Sequence, residues 1–354
     1  MINPMSRRNF IRTGATVAGG LALGGVLPSP AEAAATAPLP VDSDALKWFA
    51  EPVPLASASV MQSFAVDNVN RHIYTAQRLA SSTDTSGDIT ITKLSLSNGS
   101  KVDPVWIHLR GFGHAAGLGV VPFDAEQGGG AMIWIETSVE SDSNRSPYGG
   151  ATGYGTKIAR LHMGGSTGFQ QNADVHALTA DNDPDGPYYD VFDPRPDFGQ
   201  KSIAVDVPNS KISLRYHTDS DTIVHEQFKL GDFIQHIYSD PANKTTLDYS
   251  VFTSRFPEDN PPVFQGHTTF GEYFYMLTGK ANTNNQRLWS FKWANITNPP
   301  PYDVALSQAG SGFSYHEPEG MSVVTAADGS GARLMFGVAT GESGARKAMF
   351  YYKE

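Results

Sequence analysis

Cysteine is absent from all 354 residues. Disulfides, thiolate nucleophiles and thiolate metal sites are therefore excluded, and the fold has to rest on its hydrophobic core. Helical patterning is almost as scarce. No long stretch spaces apolar residues at i, i+3 and i+4, and 35 glycines and 23 prolines interrupt the chain at short intervals. Positive charge is in deficit, with 26 Lys and Arg against 36 Asp and Glu and a formal net charge of -10. A polyanion-binding surface is not the default for such a chain, and nucleic acid is not an expected partner.

What is present begins with an export signal. Ser6-Arg-Arg-Asn-Phe-Ile-Arg12 precedes a mildly apolar, Gly/Ala-rich run from Thr13 to Leu27, and Ala31-Glu-Ala33 fits a small-x-small cleavage site. This pattern predicts a twin-arginine signal peptide over 1–33, and hence a secreted protein exported already folded. The apolar run is too short and too rich in glycine for a stable membrane span. Residues 34–55 are Ala/Pro-rich and read as a linker or N-terminal segment, with a first apolar packing segment starting near Asp44–Phe49. Residues 56–354 read as one domain, expected to be monomeric.

Short alternating stretches fill that domain. Ile89–Leu96, Lys157–His162, Lys211–Tyr216, Thr222–Phe228 and Leu288–Trp293 each send alternate residues to opposite faces of a sheet. One supersecondary unit recurs: a polar residue backed by glycine or serine opens a strand, a Gly/Asp turn follows, and an aromatic strand returns. Gly113-His114 leads to Met132-Ile-Trp-Ile-Glu136, and Gln62-Ser-Phe-Ala-Val to His72–Gln77. Likewise Gln265-Gly-His267 leads to Tyr273–Thr278, and Glu319-Gly-Met321 to Arg333–Val338. The gap between 113 and 266 has room for a fifth, degenerate unit opening near Tyr189–Phe192. The expected fold is all-β, a β-propeller of five blades, each a four-stranded antiparallel sheet. Units of roughly 50 to 75 residues are long beside common blades of about 45. Six or seven tighter blades, a β-helix and a two-sheet sandwich stay open.

The ordered set Gln62-Ser-Phe, Gly113-His114, Trp134-Ile-Glu136, Gly153-Tyr-Gly155, Gln265-Gly266 and Glu317-Pro-Glu-Gly320 resembles one family. It is the five-bladed propeller family shared by teichoic acid biosynthesis protein C and receptor-binding proteins of staphylococcal phages. The resemblance spans about Val60 to Lys353. It implies a propeller whose central face meets a cell-surface glycan, and it does not specify a reaction.

In a propeller the first strand of each blade lines the channel. On that register Gln62, His114, His267 and Glu319 would converge from four blades, with Gln265, His316 and Glu317 beside them. Imidazole, carboxamide and carboxylate groups suit a polar oligosaccharide and can supply a general base. The alternative is that they satisfy backbone amides of neighbouring blades. The expected function is that of a secreted polysaccharide lyase acting on a uronate glycan at the central face of the propeller. His114 or His267 would take the α proton, Tyr154 or Tyr315 would protonate the leaving oxygen, and Arg195 would neutralise the carboxylate. A glycoside hydrolase would need two carboxylates, for which Glu136 and Glu319 are candidates. Tyr148 and Tyr154, in glycine-rich loops, suit sugar stacking. The competing reading is a non-catalytic propeller that binds wall glycan or teichoic acid through the same residues. Asp181-Asn-Asp-Pro-Asp-Gly186 has the oxygen spacing of a calcium loop, with Asp181, Asp183 and Asp185 as ligands and Asp190 or Asp193 completing them. An ordinary solvated turn would look the same.

Overall fold

Alternating runs such as Ile89–Ser95 and Lys211–His217 form the strands their pattern predicts. The computed structural model describes residues 37–79, 86–123, 129–139, 153–165, 168–169, 171–176, 189–194, 199–217, 223–238, 244–248, 263–283, 285–293, 302–306, 309–326 and 331–354. The chain first lays down two short strands, β1 (Leu46–Lys47) and β2 (Val53–Pro54). Five sheets follow, each running outward from a hub strand.

Blade 1 comprises β3 (Met61–Asp67), β4 (His72–Arg78), β5 (Ile89–Ser95) and β6 (Lys101–Arg110). Blade 2 comprises β7 (Leu118–Pro122), β8 (Ala131–Val139) and β9 (Gly155–Met163). Its chain then lends β10 (Ala173–His176) to the outer edge of β6, in parallel, before completing its own sheet with β11 (Tyr189–Phe192). Blade 3 contains β12 (Gly199–Asp206), β13 (Lys211–His217), β14 (Ile223–Lys229), a one-turn helix α1 (Leu230–Ile234) and β15 (Lys244–Asp248). Blade 4 contains β16 (Phe264–Phe270), β17 (Tyr273–Thr278), β18 (Arg287–Lys292) and β19 (Tyr302–Ala305). Blade 5 has β20 (His316–Thr325), β21 (Ala332–Thr340) and β22 (Lys347–Tyr352). The missing outer strand comes from the other end of the chain, where β1 and β2 pair antiparallel with β22. The hub strands touch in the cyclic order β3, β7, β12, β16, β20 and back to β3. The fold is therefore the five-bladed propeller of four-stranded antiparallel blades.

Two expectations need correction. The third unit does not open at Tyr189–Phe192. Those residues pair with Ile158–Leu161 as the outermost strand of blade 2, and blade 3 opens at Gly199. The stretch before Asp44, read as linker, is also part of the packing: Leu39 and Val41 are buried, alongside Phe49, Val53 and Leu55 of the expected packing segment. Leu39 N–H donates to the Tyr275 hydroxyl at 2.7 Å, and Trp48 Nε1–H to Leu96 O at 2.8 Å. Tying the chain's start to its last sheet closes the ring and covers the outer edge of β22.

Each seam between blades has its own core. Ile91, Ile107, Ile133 and Leu161 pack between blades 1 and 2, and Ile158, Ile203, Leu214 and Phe228 between blades 2 and 3. Leu277, Leu288, Leu334 and Met349 fill the seam of blades 4 and 5, and Phe64, Leu94, Met335 and Phe350 that of blades 5 and 1. The seam of blades 3 and 4 is different. An aromatic face of Phe274, Trp289, Phe291 and Trp293 meets a polar one, on which Gln227 donates to Thr269 Oγ1 at 2.9 Å and the Arg215 guanidinium lies 4.1 Å from the Phe264 ring centroid.

Candidate functional site

Four of the five hub strands carry a β-bulge at the same level, between Met61 and Ser63, Gly199 and Ser202, Phe264 and Gly266, and Pro318 and Met321. The residues left over are Gln62, Gln200 with Lys201, Gln265, and Glu319 with Gly320. In blade 2 the same place is taken by the turn His114–Gly117. A bulge bends its strand and re-aims the extra side chain. Just beyond, the hub strands pinch together. A Cβ on Gly266 would lie 2.7 Å from Gly320 Cα, and one on Gly320 2.8 Å from Ser63 Cα. Ser63 Oγ donates to Ala115 O at 2.7 Å, Ser202 Oγ donates to Ala116 O at 3.1 Å, and Ser202 Oγ lies 3.3 Å from His267 Nδ1. These contacts run once around the axis and divide the channel into two ends.

On the far side of the pinch is a cavity of about 100 Å³ lined mainly by apolar groups, among them Ala65, Leu118, Val120, Ala204 and Met321. Polar groups at its edge are already engaged, as with Ser322 Oγ accepting Val66 N–H at 3.0 Å and Asp206 accepting Gly271 N–H at 2.6 Å. The bulged end of the channel is polar and carries His114, Tyr154 and Gln62 with Tyr315, His316, Glu317 and Glu319.

His114 and Tyr154 meet there. Their rings stack with centroids 4.5 Å apart at 17°, both half-buried. The two side chains come from different segments, the turn before β7 and the entry to β9, and Glu136 joins those segments. Glu136 is fully buried, and its carboxylate accepts Gly155 N–H at 2.5 Å and Ala116 N–H at 3.1 Å. Burial pushes its carboxyl up to about 7 against the opposing pull of these amides and those of Ala115 and His114. With its oxygens committed to backbone, Glu136 is not the second carboxylate of a hydrolase, and it does not itself reach a ligand.

On the blade 5 side, Tyr315 donates its hydroxyl to Glu317, and the Arg346 guanidinium covers the Tyr315 ring at 3.3 Å. Burial and then the Glu317 hydrogen bond raise the Tyr315 phenol. Glu319 is 5% exposed, and burial followed by the Glu317 charge holds its carboxyl well above the usual range. That shift favours the protonated carboxyl over the carboxylate. His316 N–H donates to Asn282 Oδ1 at 2.9 Å. Gln62 is half-buried at the mouth, while Gln265 is turned to its own blade and donates to Gly279 O at 2.9 Å.

His267 does not join them. After the bulge at Gly266 the alternation of β16 sends the imidazole sideways, into the seam with blade 3, where its centroid lies 6.2 Å from His225 and 5.6 Å from Phe274. Burial, with Arg215 adding repulsion, pushes it down to about 3. A buried imidazole that holds a proton so weakly is not positioned as the base at the mouth. Asp190 is also placed elsewhere, as an exposed surface partner of Arg160. Tyr148, Arg195, Asp181, Asp183 and Asp185 lie outside the described residues. Among the described residues, no group of three His, Asp or Glu is arranged to hold a metal ion.

The residue missed by motif reading is Lys201. It is wholly buried, donates from Nζ to Thr156 O, and lies 3.2 Å from Asp193 Oδ1. It anchors the strand that follows Tyr154. A signal for this blade was available, because Ser202-Ile-Ala-Val-Asp206 repeats Ser63-Phe-Ala-Val-Asp67. Both aspartates cap the turn after the hub strand, Asp67 accepting Asn70 N–H at 2.8 Å and Asp206 accepting Asn209 Nδ2 at 2.8 Å.

Comparison with known proteins agrees with this architecture. Residues 204–352 match the family model described as the phage 5-bladed beta propeller receptor binding platform domain. The tail fiber of a Staphylococcus aureus phage superposes with a TM-score of 0.57 at 17% identity, covering 88% of this chain and 53% of the fiber. The chain thus spans about half the length of that fiber. An exo-beta-1,3-galactanase from Phanerochaete chrysosporium gives a TM-score of 0.45 at 11% identity, covering 87% of this chain and 64% of the enzyme. The alpha-L-arabinofuranosidase from Podospora anserina gives 0.42 at 10% identity, covering 89% and 98%. No curated protein sequence matches. The resemblance to the five-bladed phage receptor-binding propellers, read from scattered motifs, is borne out by the family match and by the fold.

Proposed function

We propose that the protein is a secreted glycan-recognition propeller that binds a cell-wall polysaccharide at the polar mouth of its channel. The observation that carries this reading is the His114–Tyr154 stack, an aromatic platform backed by a committed carboxylate and open to solvent. Sugar rings pack on such platforms through their C–H faces while flanking polar groups bond the hydroxyls. Gln62 offers both a donor and an acceptor, and Glu317 an acceptor. The match of blades 3 to 5 to a receptor-binding platform family supports recognition as the task, and the twin-arginine pattern supports an extracytoplasmic setting.

One observation favours a second reading. An imidazole and a phenol 4.5 Å apart at one mouth are the two groups β-elimination needs. His114 would remove the proton α to a uronate carboxylate, the C–O bond at the β carbon would break, and Tyr154 would give its proton to the departing oxygen. Calcium at Asp181, Asp183 and Asp185 would then be an accessory to either reading.

The test is calorimetric titration of the mature protein with purified wall teichoic acid and uronate polysaccharides, alongside absorbance from unsaturated sugars. Recognition predicts saturable binding without product, lost in Tyr154→Ala. Product formed by the wild type and abolished in His114→Ala would replace it with the lyase reading. Neither binding nor product across both polymer classes would sink both.

A further inference from the structure

The mouth is assembled by a residue that no ligand would touch. Glu136 lies at the far end of β8, and the chain crosses it twice at glycine. A Cβ on Gly113 would sit 2.5 Å from Glu136 Cδ, and one on Gly155 2.8 Å from Glu136 Cβ. Gly113 has φ +158 and Gly155 enters β9, so two backbone segments close over one carboxylate. One carboxylate oxygen accepts Gly155 N–H, beside Tyr154, and the other accepts Ala116 N–H, two residues from His114. The stacked pair is therefore held together through a single side chain beneath it.

We propose that Glu136 is a positioning residue and latch, whose ionised carboxylate holds the His114 and Tyr154 segments in register, so that the mouth is competent when it is charged and loosens when it is protonated. This rests on the glycan-binding reading only for its functional consequence. The physical reason is the count of donors and acceptors. An ionised carboxylate has acceptor sites for every amide that points at it. Protonation puts a hydrogen on one oxygen and removes the charge, so the charge-assisted bonds that clamp the two segments weaken. Burial of the carboxyl, which brings it up to about 7, places this change within the physiological range. The ionisable groups around it are His114 and Tyr154 above, and the Lys201–Asp193 pair that anchors Thr156. Desolvation opposes the charged latch, and the backbone amides of Gly155, Ala116, Ala115 and His114 favour it.

Glu136→Gln imitates the protonated form at constant volume and leaves the His114 and Tyr154 side chains themselves unaltered. The readout that needs no ligand is the downfield shift that the Glu136 carboxylate imposes on the Gly155 and Ala116 amide protons bonded to it, followed by NMR in the free, full-length mature protein from pH 8.5 to 5.5. The wild type should lose that shift with a midpoint near 7, and Glu136→Gln should show it already reduced and flat with pH. Binding of purified wall teichoic acid should weaken roughly tenfold in Glu136→Gln at pH 8, as expected for one charge-assisted bond lost. Thermal unfolding establishes that the variant is folded. A variant that keeps the wild-type shift and its pH response overturns the latch. If the shift behaves as stated while neither protein binds teichoic acid, the latch stands and the glycan reading falls.

Discussion

Acid should open the seam between blades 3 and 4 before the others, and His267 provides the measure. His267 and His217 are 3% and 5% exposed, and burial, with Arg215 nearby, depresses both to about 3. His225, wholly buried beside them, is pushed well below its ordinary value by the same causes. In the unfolded chain each imidazole titrates near 6.5. Between pH 6.5 and 3 the unfolded state therefore binds protons that the folded state refuses, and stability falls as pH falls through that window. Each imidazole contributes a slope of about 1.4 kcal/mol per pH unit. By pH 4.5 His267 alone has cost roughly 2.7 kcal/mol, a large part of a typical domain's 5–15 kcal/mol. Carboxyls raised by burial work the other way, Glu136, Asp206, Asp67 and Glu319 among them. Glu136 and Asp206 are raised to about 7 and about 6, so the folded state takes up protons first and gains stability as pH falls toward 4. The net curve mixes both signs, and a difference measurement separates them. His267→Asn places an amide where Nδ1 stands, retaining a partner for Ser202 Oγ at the pinch. Urea unfolding followed by tryptophan fluorescence at several pH values between 7.5 and 4.5 should find the His267→Asn protein less stable at neutral pH because of the lost volume. Its stability should then decline less steeply toward acid, by about 1.4 kcal/mol per pH unit. Parallel curves for the two proteins would show that the imidazole protonates in the folded state without penalty, and the account of a sealed seam would be wrong.

Three further outcomes follow from packing. Gly320→Ala places a Cβ 2.8 Å from Ser63 Cα and 2.9 Å from Phe64 N at a φ of +76, where neither neighbour can yield because both are backbone. A loss of about 3 kcal/mol or more is expected, seen as a lowered melting temperature. Tyr275→Phe leaves the buried Leu39 N–H without its acceptor. It should cost about 1–3 kcal/mol and speed proteolysis ahead of β1, while leaving teichoic-acid binding intact. Lys201→Met removes the ammonium that Thr156 O accepts from, and should weaken glycan binding more than it lowers the melting temperature.

Much of the fold was legible because it is written in local chemistry. Two-residue alternation, glycine and Asp turns, and polar openings at Gln62, His114, Gln265 and Glu319 are short-range features, and they place four of the five hub strands. The misplaced third opening shows the limit of that reading. Tyr189–Phe192 alternates like any strand, and nothing within four residues distinguishes an outermost strand from a hub strand. The copied Ser-x-Ala-Val-Asp segment at Ser202 does, because its aspartate has to cap the turn that follows a hub strand. His267 shows a second limit: a one-residue bulge reverses which face a side chain takes, and bulges depend on how the partner strand pairs.

Strand content, hairpin turns, the absence of thiol chemistry and the repeat that implies a ring all follow from the order of residues, since each depends on neighbours a few positions away. The closure of blade 5 by the N-terminal segment does not, for it joins residues from opposite ends of the chain that share no pattern. Nor does the division of the polar residues into a mouth and a sealed seam, or the burial of Glu136 beneath two backbone segments. Those were decided by which groups the assembled blades leave in contact with water and which they bury, a property of the closed ring and of no single strand.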